Sequence, residues 1–193
     1  MARAGDELVN PVTGQHLVLV RTAAETGGEL LEMESRFGPG GWPPAAHYHP
    51  IQHERFEVLE GTLPVILDGE QRDLGAGEVL FAEPGVVHQM WNPGEEWARV
   101  NWQIRPALNT QTFFETVFGL AGDGKVNAMG VPNLLQAAVL LREYDSEFRL
   151  AKPPRIVQGL VFGLLAPVAR LLGYRGRYDR YSGAKGRNTD THT

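Results

Sequence analysis

The amino-acid sequence predicts a mainly β protein, built as a sandwich or closed barrel, that is followed by an α-helical extension. Between residues 16 and 105, short runs rich in β-branched and aromatic residues alternate with turns that contain glycine or proline. After Pro106 the apolar residues recur at intervals of three and four, which is the period of an amphipathic helix. The chain has 193 residues, 42% of them apolar, which is enough for one domain with an appendage.

The predicted strands are short and follow one another closely in the first half of the chain. The first 14 residues are expected to form an irregular arm. The pair Asp68 and Gly69 is among the strongest short signals for a β-hairpin, because both residues tolerate the backbone angles of a tight turn. The predicted strands cover residues 16–22, 29–37, 54–58, 62–67, 71–74, 79–82, 86–91 and 97–105.

Three helical segments follow. The first is expected to begin at a capping box formed by Thr112 and Glu115 and to end at Gly122. The second begins near Pro132, a residue suited to a first helical turn, and continues to Phe148. The predicted organisation is a barrel over residues 1–106, a helical extension over 107–181 that packs on the barrel or on a partner, and a disordered polar tail over 182–193.

The third helical segment, residues 156–172, is apolar on nearly all sides and is interrupted by Pro167. It is shorter than the roughly 20 residues that a membrane-spanning helix needs. A helix that is apolar all round has to be covered, so we expect it to lie against the barrel, its neighbouring helices or a second subunit. Peripheral contact with a membrane is the alternative, because arginine and tyrosine residues follow the segment.

Composition excludes several classes of function. The net charge of −5 argues against general nucleic-acid binding. The absence of cysteine excludes disulfides, thiolate metal sites and a cysteine nucleophile. No phosphate-binding glycine loop and no nucleophilic serine motif occur, which sets aside nucleotide chemistry and serine hydrolysis. The N-terminus lacks an apolar segment behind a basic start, so we expect no signal peptide and a cytoplasmic location.

The candidate metal-binding residues occur in two segments. His47 and His49 are two apart, so in a strand both side chains point to one face. Pro50 interrupts the ladder, which allows the chain to bend before Glu54 returns to that face. A fourth candidate ligand, His88, follows a later turn. Imidazole and carboxylate ligands suit iron, manganese, nickel, copper or zinc.

The two segments read G-x5-H-x-H-x4-E-x6-G, beginning at Gly41, and G-x10-H-x3-N, beginning at Gly77. In this pattern the chain resembles the cupin family, in particular its small single-domain members of the cupin 2 conserved barrel type. The resemblance extends over about residues 30–104 and implies a double-stranded β-helix of the jelly-roll type. It also implies four metal ligands: His47, His49, Glu54 and His88.

The chain departs from the family pattern at one position. Glu83 occupies the place where the family usually has a proline, and Pro84 follows it. This shifts a turn by one residue and leaves the spacing of the four ligands unchanged. The metal expected first is iron or manganese, with zinc, nickel and copper as alternatives, and a barrel that has lost its metal is the competing hypothesis.

A small-molecule substrate is expected to bind in the mouth of the barrel. The predicted lining residues are apolar or aromatic side chains with a few amides that would orient the substrate: Trp42, Gln52, Phe56, Met90, Trp102 and Gln103. Taken singly, each residue fits a core or surface role better than a role in the pocket, but as a set they fit an apolar pocket with few polar groups. His53 should point outward, because neighbouring strand residues face opposite sides.

Three functions are compatible with these residues. The first is a dioxygenase-like oxidoreductase of the quercetinase type, in which Glu54 is both a ligand and a base that takes a proton from the substrate. The second is an isomerase, cyclase or epimerase that uses the same metal without O2. The third is a non-catalytic barrel that binds a small ligand. The resemblance also implies a homodimer, since cupins commonly pair through their N-terminal strands.

Overall fold

The computed structural model describes residues 1–182, so the predicted disordered tail lies, apart from Ser182, outside the described residues. The structure consists of two antiparallel sheets and three α-helices. The strands are β1 (Glu7–Asn10), β2 (Gln15–Arg21), β3 (Leu31–Phe37), β4 (His47–Tyr48), β5 (His53–Glu60), β6 (Thr62–Leu67), β7 (Glu70–Gly75), β8 (Val79–Ala82), β9 (His88–Met90), β10 (Ala98–Arg105) and β11 (Arg149–Leu150). The helices are α1 (Thr110–Gly122), α2 (Leu134–Glu143) and α3 (Arg155–Leu171).

The two sheets face each other across an apolar core. One sheet has the order β1-β2-β3-β10-β5-β8 and the other the order β11-β4-β9-β6-β7. Val58, Leu63, Val65 and Val100 lie fully buried between them. This arrangement confirms the predicted fold class, a mainly β jelly roll followed by a helical extension.

Strand alternation decides which side chains reach the interior. In β5 the side chains of Glu54, Phe56 and Val58 are buried, while the residues between them are only partly so. The Asp68-Gly69 hairpin is also confirmed, because β6 and β7 pair directly across it and both turn residues have positive φ angles, 52° and 86°.

The N-terminal segment is more ordered than expected. Residues 7–10 form β1 on the edge of the first sheet, where the predicted irregular arm should lie. The predicted capping box is also wrong, since α1 begins at Thr110 and places Glu115 inside the helix. Glu115 instead accepts a hydrogen bond from the backbone N–H of Ala2, and Gln111 donates to the carbonyl of that residue. Glu115 therefore anchors the N-terminal segment to α1.

The second helix is shorter than predicted. Asn133 caps it by accepting a hydrogen bond from the backbone N–H of Gln136, and the helix ends at Glu143 rather than at Phe148. The chain then forms β11, which pairs with β4 next to the predicted metal ligands. The helical extension thus returns a strand to the barrel, a feature that periodicity alone does not indicate.

Only one face of α3 is covered by other parts of the chain within residues 1–182. Phe162, Ala166 and Ala169 are buried and pack against Ala138 and Val139 of α2. The opposite face carries large aliphatic side chains that remain exposed. None of the helices in the described range is long and apolar enough to cross a bilayer.

Candidate metal centre

The three predicted histidine ligands come together between the two sheets. His47 in β4 lies directly opposite His88 in β9, and His49 follows β4 by one residue. One nitrogen of each ring lies within 4.8 Å of the corresponding nitrogens of the other two rings. Glu54 approaches His49 and His88 from β5 in the opposite sheet. The structure therefore brings together residues that are up to 41 positions apart in the sequence.

Backbone carbonyls set the orientation of all three rings. The Nδ1 atom of His47 lies 2.8 Å from the carbonyl oxygen of Ala45, and that of His88 lies 3.1 Å from the carbonyl of Val86. His49 Nδ1 contacts the carbonyl of Glu147, in the helical extension. Since a carbonyl only accepts, each Nδ1 carries a proton, and Nε2 of each ring is directed toward the centre.

Glu54 completes the group. Its Oε1 accepts a hydrogen bond of 3.1 Å from the indole N–H of Trp102. Its Oε2 lies 3.1 Å from Nε2 of His49 and 2.9 Å from Nε2 of His88. Both separations have hydrogen-bond length. A ring that is neutral and protonated at Nδ1 offers no proton at Nε2, and His49 Nε2 and Glu54 Oε2 are buried without a hydrogen-bond partner.

Buried lone pairs that face one another at this distance repel unless a proton or a metal ion lies between them. Neighbouring ligands on an ion with metal–ligand bonds of about 2.1 Å are about 3 Å apart. The carboxylate of Glu54 has this spacing to His49 and His88, and the three histidines lie within 4.8 Å of one another, so the group has the donor types of a divalent first-row metal site. The residues present fit a metal ion.

The pKa values follow from the same contacts. Burial, together with the neighbouring His88 and His49 rings, lowers the pKa of His47 to about 3. For His49, burial favours the neutral ring, but the Glu54 carboxylate outweighs it and raises the pKa. Burial opposes ionisation of Glu54, yet His49 and His88 hold the pKa of its carboxyl well below the usual range. Glu54 is therefore an anion at neutral pH, as a metal ligand has to be.

A cavity of about 180 Å³ opens beside this group. Its walls include Phe56, Met90 and Trp102, three of the predicted lining residues. The helical extension adds side chains that sequence analysis did not assign to the site: Thr110, Phe113, Phe114, Glu147 and Phe148. The ring of Phe148 stacks on His47, with centroids 4.6 Å apart and an interplanar angle of 28°. Phe113 and Phe148 occupy apolar positions in the predicted helices, but periodicity does not indicate which part of the protein these side chains contact.

Three predicted lining residues do not contribute to the cavity wall. Trp42 is 77% exposed, because the proline-rich loop carries it to a separate surface groove. Gln103 alternates with Trp102 in β10 and therefore points to the other face, where it donates to Glu32. Gln52 is fully buried, but its amide donates to the carbonyl of Pro106 and to the hydroxyl of Thr110.

Gln52 thus connects the ligand-bearing loop to the start of the helical extension instead of facing a substrate. His53 points outward, as expected, and its Nδ1 lies 2.7 Å from the Glu83 carboxylate.

The comparison with known families agrees with this geometry. Residues 33–104 match the family described as Cupin domain, and this part of the chain is a cupin domain. The resemblance stated from the sequence is thereby confirmed.

Three known proteins are similar in sequence to parts of this chain. A protein of Arthrobotrys oligospora named as an oxidoreductase is 32% identical over 115 residues, which is 55% of this chain and 45% of that protein. The tetracenomycin polyketide synthase protein TcmJ of Streptomyces glaucescens is 40% identical over 60 residues, 31% of this chain and 40% of TcmJ. Quercetin 2,3-dioxygenase of Bacillus subtilis is 29% identical over 120 residues, 62% of this chain and 33% of that enzyme. The chain spans less than half the length of each relative.

Proposed function

We propose that the protein is a metal-dependent oxidoreductase of the dioxygenase type, with His47, His49, Glu54 and His88 as metal ligands. The observation that carries the proposal is the convergence of Nε2 of His49 and Nε2 of His88 on Oε2 of Glu54, at 3.1 and 2.9 Å, in a buried group where His49 Nε2 and Glu54 Oε2 have no hydrogen-bond partner. The relatives named as an oxidoreductase and a quercetin dioxygenase support the reaction class.

The metal would supply Lewis acidity and adjacent open positions for O2 and a substrate oxygen atom. Trp102 holds Glu54 through Oε1, which leaves Oε2 to face the ligand group. From there Oε2 can accept the proton of a substrate hydroxyl, the role proposed for this carboxylate from the sequence. The aromatic rings of Phe113, Phe114 and Phe148 exclude water from the space next to the ligands.

The cavity restricts the class of substrate. Its walls are mostly aromatic and apolar, and within the described residues no lysine or arginine lines them. A substrate carboxylate or phosphate would therefore lack a cationic side chain. A volume of about 180 Å³ is close to the roughly 150 Å³ of an apolar cavity that holds benzene. We infer a small uncharged substrate, such as a single-ring phenol or a β-diketone, rather than a three-ring flavonol.

A metal-dependent cyclase or isomerase is the second candidate. The match to TcmJ, named as a polyketide synthase protein, favours it. Such a reaction would use the same ligands and the same proton transfer to Glu54 but would consume no O2. The two candidates therefore differ in one measurable quantity.

The first test is elemental analysis of protein purified without a histidine tag. We expect about one equivalent of a first-row metal per chain, with loss of the metal in the His88→Ala variant. The matched control is His53→Ala, which removes an outward-facing imidazole next to Glu54 and should leave the metal content unchanged. Absence of metal from the wild-type protein after reconstitution would end the proposal.

The second test measures O2 uptake by the metal-loaded protein with catechols and β-diketones. Uptake that depends on His88, with both oxygen atoms recovered in the product, supports the dioxygenase. Conversion of substrate at equal rates with and without O2 would instead establish the cyclase or isomerase. Binding of these compounds without turnover would indicate a barrel that only binds ligands.

A further inference from the structure

The outward face of α3 is an apolar surface that nothing in the described chain covers. It consists of large aliphatic residues that are between 39% and 89% exposed. On a helix with 3.6 residues per turn they form one continuous stripe, along about 25 Å of helix axis. The residues of this α3 stripe are Ile156, Val157, Leu160, Val161, Leu164, Val168, Leu171 and Leu172.

We propose that the α3 stripe is the contact surface for a second copy of this chain, so that two α3 helices pack against each other around a two-fold axis. A contiguous patch of this kind is larger than isolated exposed apolar residues, which are normal on monomers. A stable dimer buries roughly 800 Å² on each partner, and eight mostly accessible aliphatic side chains supply an area of that order.

The charges around the stripe favour a protein partner over an anionic lipid surface. Arg155, at the start of α3, contacts the carboxylate of Asp145 at 3.3 Å. Arg170, near its end, contacts Glu143 at 2.6 Å. Both arginines of the helix are thus already paired, and the whole chain carries a net charge of −5. Attraction to acidic headgroups needs unpaired cations beside the apolar face, and the two cations of α3 each have an acidic neighbour.

The uncharged composition of the stripe suits an isologous contact, in which the same patch of both subunits meets. In a two-fold dimer the same patch meets itself, so it has to tolerate its own copy. A stripe that contains no charged side chain does so in either direction along the helix. Leu164 lies at its middle and is 74% exposed, so in the dimer it would approach its own symmetry mate.

The test compares the oligomeric state of the full chain with that of two variants, by sedimentation velocity over a dilution series. We expect a wild-type dimer and a Leu164→Glu variant whose dissociation constant is raised roughly a hundredfold, since a charge then meets a like charge in an apolar contact. The control is Val20→Glu, in β2, where Val20 is 43% exposed. That variant should remain dimeric, and it also probes the pairing through N-terminal strands that the family resemblance implies.

A second variant guards against misfolding. The chain contains no cysteine, so Leu164→Cys introduces one thiol per protomer. We expect mild oxidation to link two chains through this thiol, and a Val20→Cys control to stay largely unlinked. A wild-type protein that is monomeric, a dimer that only Val20→Glu disrupts, or a monomer that sediments with phosphatidylserine vesicles through the α3 stripe would each overturn the proposal.

Discussion

The position of the proton on each imidazole determines which ring nitrogen can bind a metal ion. Nδ1 of His47, His49 and His88 each contacts a backbone carbonyl, so Nε2 is the free nitrogen in all three rings. Two of these carbonyls belong to residues two positions earlier in the chain, whereas the third belongs to Glu147, 98 residues from His49. The helical extension therefore takes part in orienting one of the proposed ligands.

Replacing Glu54 by glutamine tests the proposed carboxylate ligand. The amide keeps the side-chain volume and the acceptor for Trp102 but removes the negative charge. We therefore expect metal affinity to fall by roughly a hundredfold. Titration calorimetry with the metal measures the change. The control is Glu57→Gln, three residues along the same strand, where the carboxylate contacts Arg55. Equal affinities for the Glu54→Gln variant and the wild type would remove Glu54 from the ligand set.

Replacing Phe148 by alanine tests the aromatic cover of the cavity. Its ring stacks on His47 and on Phe113, so we expect the free energy of unfolding to fall by roughly 2 kcal/mol. Urea denaturation measures the loss. Phe81→Ala serves as the control, because Phe81 is 58% exposed and its truncation should cost less than about 0.5 kcal/mol. Equal losses in the two variants would show that Phe148 is not part of the packed wall.

Among the secondary-structure elements, α1 links three parts of the molecule. It anchors the N-terminal segment through Glu115 and lines the cavity through Phe113 and Phe114. Through Gly119 it contacts a short 3-10 turn at Asp179–Tyr181, called here the C-terminal turn. A Cβ atom at position 119 would lie between 2.2 and 2.6 Å from three ring atoms of Tyr181. The absence of a side chain at this position therefore allows the C-terminal turn to pack on the helix.

The Gly119→Ala substitution tests this packing. Alanine favours a helix over glycine by about 1 kcal/mol, but the clash with Tyr181 should exceed that gain and destabilise the protein by roughly 1–3 kcal/mol. The matched control is Gly122→Ala in the same helix, where an added Cβ meets nothing within 4 Å. Thermal unfolding measures both. A Gly119→Ala protein as stable as the control would show that Tyr181 moves aside without cost.

The whole molecule couples the barrel to its helical extension at several points. β11 pairs with β4, Gln52 donates to Pro106 and Thr110, and Glu147 contacts His49. Because these contacts surround the candidate metal centre, we infer that the extension supports the site as well as covering it.

Stability should depend on pH in opposite directions with and without metal. The raised pKa of His49 stabilises the metal-free protein below the unfolded value of about 6.5, and this contribution is lost as the pH rises through the folded value. The lowered pKa of His47 destabilises the metal-free protein only as the pH falls below the unfolded value of about 6.5. Metal binding instead requires a deprotonated Nε2 and strengthens with pH.

We therefore expect the difference in melting temperature between metal-loaded and EDTA-treated protein to widen from pH 6.5 to pH 8. Differential scanning calorimetry at several pH values measures it. The His88→Ala variant, which lacks one proposed ligand, is the control and should show almost no difference at either pH. A gap that narrows as the pH rises would contradict the assignment of His49 as a ligand that has to lose its proton.

His88 is assigned as a ligand through the resemblance to the cupin family. Local sequence patterns predict the mainly β fold, the helical extension and the common face of His47, His49 and Glu54. Those features depend on local patterns: alternation in β5, the Asp68-Gly69 turn, and the spacing of His47, His49 and Glu54. Strand periodicity decides which side chains share a face, so these properties can be predicted from neighbouring residues alone.

The surroundings of the histidine group depend on how distant segments of the chain pack together. Phe148 and Glu147 reach the cavity because the chain leaves α2 early and pairs with β4, and Trp42 is carried away from it by an irregular loop. The exposure of α3 likewise depends on which of its apolar faces meets α2. Contacts between residues a hundred positions apart arise from packing of the whole chain, which a local pattern does not encode.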